Sequence, residues 1–108
     1  MIRKKHLLFV CNANLNRSPT AEGLFRDNRK YEAKSCEINP LSVIVIDKHS
    51  IMWTDIIFCM EKSHKDFILE NFSEAKGKKI IILNIKDIYI MNDPRLIVLL
   101  RKKLKRFL

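Results

Sequence analysis

The sequence predicts an α/β fold: a small doubly wound, four-stranded parallel sheet with helices on both faces. Four short runs of strand character, His6–Val10, Tyr31–Cys36, Ile56–Met60 and Lys79–Ile85, are the first observation. The second is that segments with helical apolar spacing lie between them, so strands and helices alternate along the chain. Parallel strands buried on both faces follow, and right-handed crossovers place the helices above and below. The third concerns size. A chain of 108 residues without repeat, linker or low-complexity tract suits one domain over residues 1–108.

The elements follow in order. His6–Val10 is short and apolar, as a buried strand is. Pro19 fits the first turn of a helix that runs on from Thr20 to Asn28, with Leu24 and Phe25 turned inward. Tyr31–Cys36 alternates and forms the second strand, and Pro40 marks a loop. Residues 37–46 are weakly patterned, and Val43-Ile44-Val45-Ile46 reads as a strand or an extended connection. Asp47 caps a short helix through Ile51 and Met52 to about Trp53. Ile56–Met60 is the third, buried strand. Ser63–Phe72 is helical, with Phe67, Ile68 and Phe72 on one face. Gly77 punctuates the return to Lys79–Ile85, the fourth strand. Asp93-Pro94 opens a final helix whose Leu96, Leu99, Leu100, Leu104 and Phe107 form an apolar stripe. Arg101, Lys102, Lys103, Lys105 and Arg106 oppose that stripe.

Composition excludes several classes. Apolar residues form 47% of the chain, too many for disorder. No apolar run approaches the roughly 18 residues of a membrane span. The run after Arg3-Lys4-Lys5 is too short for a signal peptide, so the cytoplasm is the expected location. Three cysteines without Cys-x-x-Cys spacing argue against a disulfide framework and against zinc. His6, His49 and His64 share no ligand spacing, His49 and His64 read as surface helix residues, and no metal or cofactor is expected. The nucleotide loop Gly-x4-Gly-Lys-[Ser/Thr] is absent. A formal charge of +9 favours anionic partners. No base-reading motif is present, so nucleic acid would bind only through the basic surface, and a solvated helix face is the simpler account.

The chemistry concentrates where the first strand ends. Cys11 leaves that strand into a polar loop, Asn12-Ala13-Asn14-Leu15-Asn16, and Arg17-Ser18-Pro19 opens a helix. Backbone donors and the positive dipole end at a helix start lower a thiol's pKa, and Arg17 acts in the same direction. The same donors converge on phosphate. One loop can therefore activate a nucleophile and hold its target. The loop has no Gly, and Asn12, Asn14 and Asn16 are the residues best able to take left-handed φ angles in its place. Cys36 and Cys59 sit in strands and read as buried thiols.

Phe9-Val10-Cys11, Asn14, Arg17-Ser18-Pro19 and Ala21-Glu22 together resemble the signature of the low-molecular-weight protein tyrosine phosphatase family. Downstream, Asp55-Ile56-Ile57-Phe58-Cys59-Met60-Glu61 is similar to the family's third strand and exit, and Asp93-Pro94 to its acid motif. The resemblance runs in order along nearly the whole chain. It implies a phosphomonoester hydrolase acting through a cysteinyl-phosphate, with phosphotyrosine protein or another phosphomonoester as substrate and inorganic phosphate or a similar oxyanion as ligand. By resemblance, Cys11 attacks phosphorus, and Arg17 and the amides of residues 12–18 hold the oxygens. Asn14 orders the loop, Ser18 stabilises the thiolate, and Asp93 is the general acid.

Asp93 also suits a helix cap ahead of Pro94, and Asp87 in the same loop is its rival as acid. Tyr89 either flanks the pocket or packs. The chain departs from the family at three places: Ala13 stands where Gly is common, Asn16 where a second loop Cys is common, and Arg95 where an aromatic follows the acid motif. Arg95 makes the reaction class firmer than the phosphotyrosine substrate. Two other readings compete. A thiol-dependent arsenate reductase needs further cysteines that relay a disulfide to Cys11. A phosphate- or nucleic-acid-binding module, or an RNA end-phosphate phosphatase, would use the basic face.

Overall fold

A computed structural model describes residues 3–12 and 16–108. Its centre is a four-stranded parallel sheet in the order β2-β1-β3-β4, with β1 at Lys5–Cys11, β2 at Tyr31–Glu37, β3 at Ile56–Cys59 and β4 at Lys79–Ile82. The helices are α1 (Arg17–Gly23), α2 (Lys48–Trp53), α3 (Lys62–Asn71) and α4 (Pro94–Leu104), with a 3-10 turn at Ser73–Ala75. Strand and helix alternate as the sequence predicts.

Strand periodicity divides the core between the two faces. Leu7, Phe9 and Cys11 of β1, with Ile56 and Phe58 of β3, pack with Ala21 of α1 and Leu96, Leu100 and Leu104 of α4. Leu8, Val10, Cys36, Ile57 and Cys59 point the other way, toward Ile51 of α2 and Ile68 of α3. Successive residues of β1 are thus buried on opposite faces, which explains its uninterrupted apolar run. The chain leaves β1 to one side for β2 and returns to its other side for β3. The order therefore reverses at β1, and the carboxyl end of β1 opens the crevice where such sheets bind ligands. Cys11 is the last residue of β1.

The strand and helix ends differ from expectation by one to several residues, most at α1 and β4. Helix α1 begins at Arg17, ahead of Pro19, and stops at Gly23 rather than Asn28. Residues 24–26 continue as tight turns, Leu24 N–H to the Ala21 carbonyl and Phe25 N–H to the Glu22 carbonyl, and Asp27 closes them with a φ of 61°. Strand β4 stops at Ile82 because Asn84 adopts a φ of 55°. The amides of Leu83 and Ile85 still bond the carbonyls of Cys59 and Met60, so the chain stays beside β3. Helix α3 starts one residue earlier than expected, at Lys62. Residues 43–46 are the extended connection, joined to β2 by a single bridge between Glu37 and Val45. Val43 and Ile44 are exposed there, while Ile46 is buried under α2.

Asp47 caps α2 as expected, accepting from the Ser50 amide at 2.8 Å. The basic end of α4 is mostly exposed, but Lys103 is tied down: its Nζ donates to the carbonyls of Leu83 at 2.6 Å and Asn84 at 3.2 Å. No helix among the described residues is long and apolar enough to cross a membrane.

Candidate active site

Cys11 is 1% exposed and lies on the α1 side of the sheet. Its thiol pKa is raised above the ordinary value, first by burial. The hydroxyl and amide of Ser18 pull it down, the Glu37 carboxylate raises it, and Arg17 lowers it. A lowered pKa was the expectation from a helix start and an arginine. Loss of water outweighs those donors. Ser18 Oγ is itself buried and has no hydrogen bond of ordinary geometry among the described residues. Its use is toward the sulfur.

Arg17 is the largest of the fully buried side chains, 2% exposed. Its Nη1 donates to Glu61 Oε2 at 2.6 Å and to the Ile85 carbonyl at 2.7 Å, and its Nε lies 3.7 Å from Asp87 Oδ1. A planar fork held at three points cannot swing, and Nη2 takes part in none of these contacts. The early start of α1 makes this geometry: Arg17 and Ser18 belong to the first helical turn, directly above the end of β1.

The segment from Ile85 to Asp93 arches over the same edge and is anchored to α1 at both ends. Arg17 holds the Ile85 carbonyl. At the other end, the Asn92 amide donates to Thr20 Oγ1 at 2.9 Å, and that hydroxyl donates to the Asn16 carbonyl at 2.6 Å. Asn92 adopts a φ of 61°, which turns the chain into α4. Both candidate acids are therefore brought to the α1 edge. Asp87 reaches the Arg17 guanidinium. Asp93 caps α4, accepting from the Arg95 amide at 2.9 Å, and pairs with Arg95 Nη2 at 2.8 Å and Nε at 3.2 Å. These bonds hold its carboxyl below the usual carboxylate range. Arg95 also lies over the Tyr89 ring, 5.6 Å from its centroid.

Asn12 is exposed, and its carbonyl accepts from the Asn39 amide at 3.3 Å. Asn16 precedes α1 with a φ of −105°. Neither takes a left-handed angle, contrary to expectation; the described residues that do, besides Gly77, are Asp27, Asn84 and Asn92. Ala13, Asn14 and Leu15 lie outside the described residues. Glu22 ties α1 to β2, its Oε1 accepting from the Ser35 amide at 2.8 Å.

Sequence reasoning missed Glu61 as a holder of Arg17, and it misplaced His64. His64 is not at the surface but 1% exposed, in the first turn of α3, with Nδ1 accepting from the Glu61 amide at 3.1 Å. Burial and the nearby Arg17 lower its pKa, against the pull of Glu61 and Asp87. The signal for Glu61 was its position: it leaves β3 at the same carboxyl edge that singled out Cys11. Cys36 and Cys59 are buried on the opposite face from Cys11, and burial raises both thiols, Cys59 to about 12. A disulfide relay to Cys11 has no partner there.

No protein-family model matches the chain, and no curated protein matches it by sequence. Solved structures do. A YwlE arginine phosphatase from Geobacillus stearothermophilus is 25% identical, with a TM-score of 0.70 over 94% of this chain and 92% of that one. The tyrosine phosphatase Wzb from Escherichia coli K30, solved with phosphate, is 23% identical, with a TM-score of 0.74 over 97% and 96%. A low-molecular-weight protein tyrosine phosphatase from T. tengcongensis is 21% identical, with a TM-score of 0.72 over 97% and 100%. The match spans nearly the full length of each.

Proposed function

We propose that this chain, which has the fold of the low-molecular-weight protein tyrosine phosphatases, is a phosphatase of that family working through a Cys11 phosphoenzyme. The observation that carries the reading is the buried Arg17 guanidinium, fixed by Glu61, Ile85 and Asp87 beside the thiol that ends β1. A fixed cation at this edge is preorganised for the charge on a transferring phosphoryl group. Among the solved structures of this fold is one with phosphate bound.

The steps balance as follows. The Cys11 thiolate attacks phosphorus, and the bond to the leaving oxygen breaks as that oxygen takes a proton from a carboxylic acid. Water then attacks the cysteinyl-phosphate, giving its proton back to the same carboxylate, and phosphate leaves with the thiolate restored. Arg17 Nη2, Ser18 and the amides of residues 12–18 hold the phosphoryl oxygens. The arriving phosphate replaces water around a thiol that burial disfavours as a thiolate, so the attack requires the donors of Ser18 and Arg17 to be in place.

The acid comes from the loop over α1. The resemblance assigns it to Asp93. A second assignment, Asp87, is favoured by its position, 3.7 Å from the guanidinium that would hold the phosphoryl group. Asp87→Asn and Asp93→Asn separate the two. Loss of the acid lowers kcat/KM, which reports phosphoryl transfer to Cys11 and not the later hydrolysis, roughly 10²–10⁴-fold on phenyl phosphate. It does so far less on p-nitrophenyl phosphate, whose leaving group needs no proton. The other variant treats both substrates alike.

The substrate is a phosphomonoester, with phosphotyrosine protein as the first candidate. The arginine phosphatase among the neighbours adds a phosphoramidate to the panel. The decisive assay uses an aryl phosphate, a phosphotyrosine peptide, a phosphoarginine peptide and a 5′-phosphorylated RNA. Vanadate-sensitive release of phosphate that is lost in Cys11→Ser is the expected result. Reduced wild-type protein that releases phosphate from none of the four would overturn the proposal.

A further inference from the structure

Beside the phosphate edge, a cavity of about 270 Å³ opens between α1, the end of β2 and the loop over α1. Its walls include Ser18, Pro19, Glu22, Glu37, Ile44 and Met91. Glu37 is 1% exposed, and neither of its carboxylate oxygens has a hydrogen-bond partner among the described residues. The residue is not loosely placed. It lies opposite Cys11 in the β1–β2 register, its amide donates to the Ile44 carbonyl at 2.9 Å, and its carbonyl accepts from the Ile46 amide at 2.8 Å. The chain has 21 Lys and Arg residues, yet none of those described reaches this carboxylate. Burying an acid without a partner costs free energy that a cation recovers.

We propose that this cavity is a subsite for a guanidinium or alkylammonium group, bound by the Glu37 carboxylate. Two unpartnered oxygens match the two-pronged donor edge of a guanidinium. Pro19, Ile44 and Met91 supply apolar walls for its weakly hydrated faces and for the methylenes of a basic side chain. Glu22, across the cavity, adds negative charge while its Oε1 stays on Ser35. Ser18 belongs to both sites: it lines the cavity and acts on the Cys11 sulfur.

That shared wall couples the two. The groups acting on Cys11 are Ser18 and Arg17 from α1, which favour the thiolate, and Glu37 from β2, which opposes it. A cation on Glu37 cancels the opposing field, so occupancy of the subsite activates the nucleophile. The ligand chemistry has two sources, a free small cation or a basic side chain of a peptide substrate.

The test uses the full reduced chain and needs no turnover, so it stands apart from the phosphatase reading. Methylguanidinium chloride is titrated against sodium chloride of equal ionic strength. Amide resonances of Ser18, Glu37 and Ile44 are followed by NMR, and Cys11 alkylation by iodoacetamide near neutral pH is followed by peptide mapping. Saturable shifts at these amides and several-fold faster alkylation are expected, both absent in Glu37→Gln and in the volume-matched Glu37→Met. Competition by an Arg-containing peptide assigns the site to a side chain; saturation by methylguanidinium without peptide competition assigns it to a small cation. No saturable shift, or equal shifts in wild type and Glu37→Gln, would overturn the proposal and mark a water-filled cavity.

Discussion

Replacing Glu61 with Ala removes the shortest contact on the Arg17 guanidinium, the 2.6 Å bond to Nη1. A hydrogen bond between charged groups contributes about 1.5–3 kcal/mol. The Glu61 side chain is 45% exposed, so solvent screens part of that, and a loss of about 1–2 kcal/mol is the better figure. Each kcal/mol lowers Tm by about 4–8 °C in a domain of this size, so Glu61→Ala should melt roughly 5–15 °C below wild type. Glu61→Gln keeps an acceptor without the charge and should fall between.

The same substitution tests the site. With Glu61 gone, Arg17 keeps Ile85 and Asp87 but loses its anchor at the start of α3, and the fork can turn away from the phosphate. A misplacement equivalent to 1.4 kcal/mol lowers kcat/KM about tenfold, and weaker vanadate binding should accompany it. Thermal melts by circular dichroism and aryl phosphate kinetics on the same samples provide both readouts. If Glu61→Ala melts with wild type and binds vanadate equally well, the ion pair is not what holds Arg17, and the preorganisation argument fails.

Three further outcomes are expected. His64 has a lowered pKa in the folded state, so its contribution to stability is present above the ordinary value of 6.5 and is lost as pH falls through the folded pKa; Tm should drop on acidification below neutrality, and His64→Gln should flatten that part of the profile. Thr20→Val removes the hydroxyl that joins Asn92 to α1, so about 1–2 kcal/mol of stability should be lost and hydrogen exchange at the Asn92 amide should quicken. Arg95→Ala releases Asp93 and should raise its carboxyl pKa toward the ordinary range, read by NMR titration; the acidic limb of the kcat profile moves with it only if Asp93 is the general acid.

The legible parts of this molecule were those that local spacing encodes. A five-residue apolar run ending in Cys11 is a strand whatever surrounds it, and Asp47 and Asp93 are caps by residue type alone. Arg17 stood out because it follows Cys11 by six residues at a helix start. Position along the chain does not encode which long-range partner a side chain meets. His64 looked like a solvated helix residue, yet the start of α3 turns it against the Glu61 amide and toward Arg17. Glu37 opened the weakly patterned stretch 37–46, and only the fold shows that its side chain is buried there, with Ile44 and Ile46 bonded to its backbone. The loop angles were misjudged for a related reason: Asn84 and Asn92, not Asn12 or Asn16, carry the left-handed φ values, because the sharp reversals lie where β4 breaks off and where α4 begins.

The carboxylates around Cys11 and Arg17 divide into two sets with opposite effects. Glu61 and Asp87 face the guanidinium and fix it, so each has a cation beside it. Glu37 lies beside the thiol and lines the cavity with no hydrogen-bond partner among the described residues, and it works against the nucleophile. A site built only to hold phosphate gains nothing from that third acid, because a phosphate dianion and a buried carboxylate repel across the same wall. The conflict disappears when the arriving molecule carries both charges, an anion for Arg17 and a cation for Glu37. Ligand selection then acts at the nucleophile itself, since a phosphate without a neighbouring cation meets a thiol that remains harder to ionise.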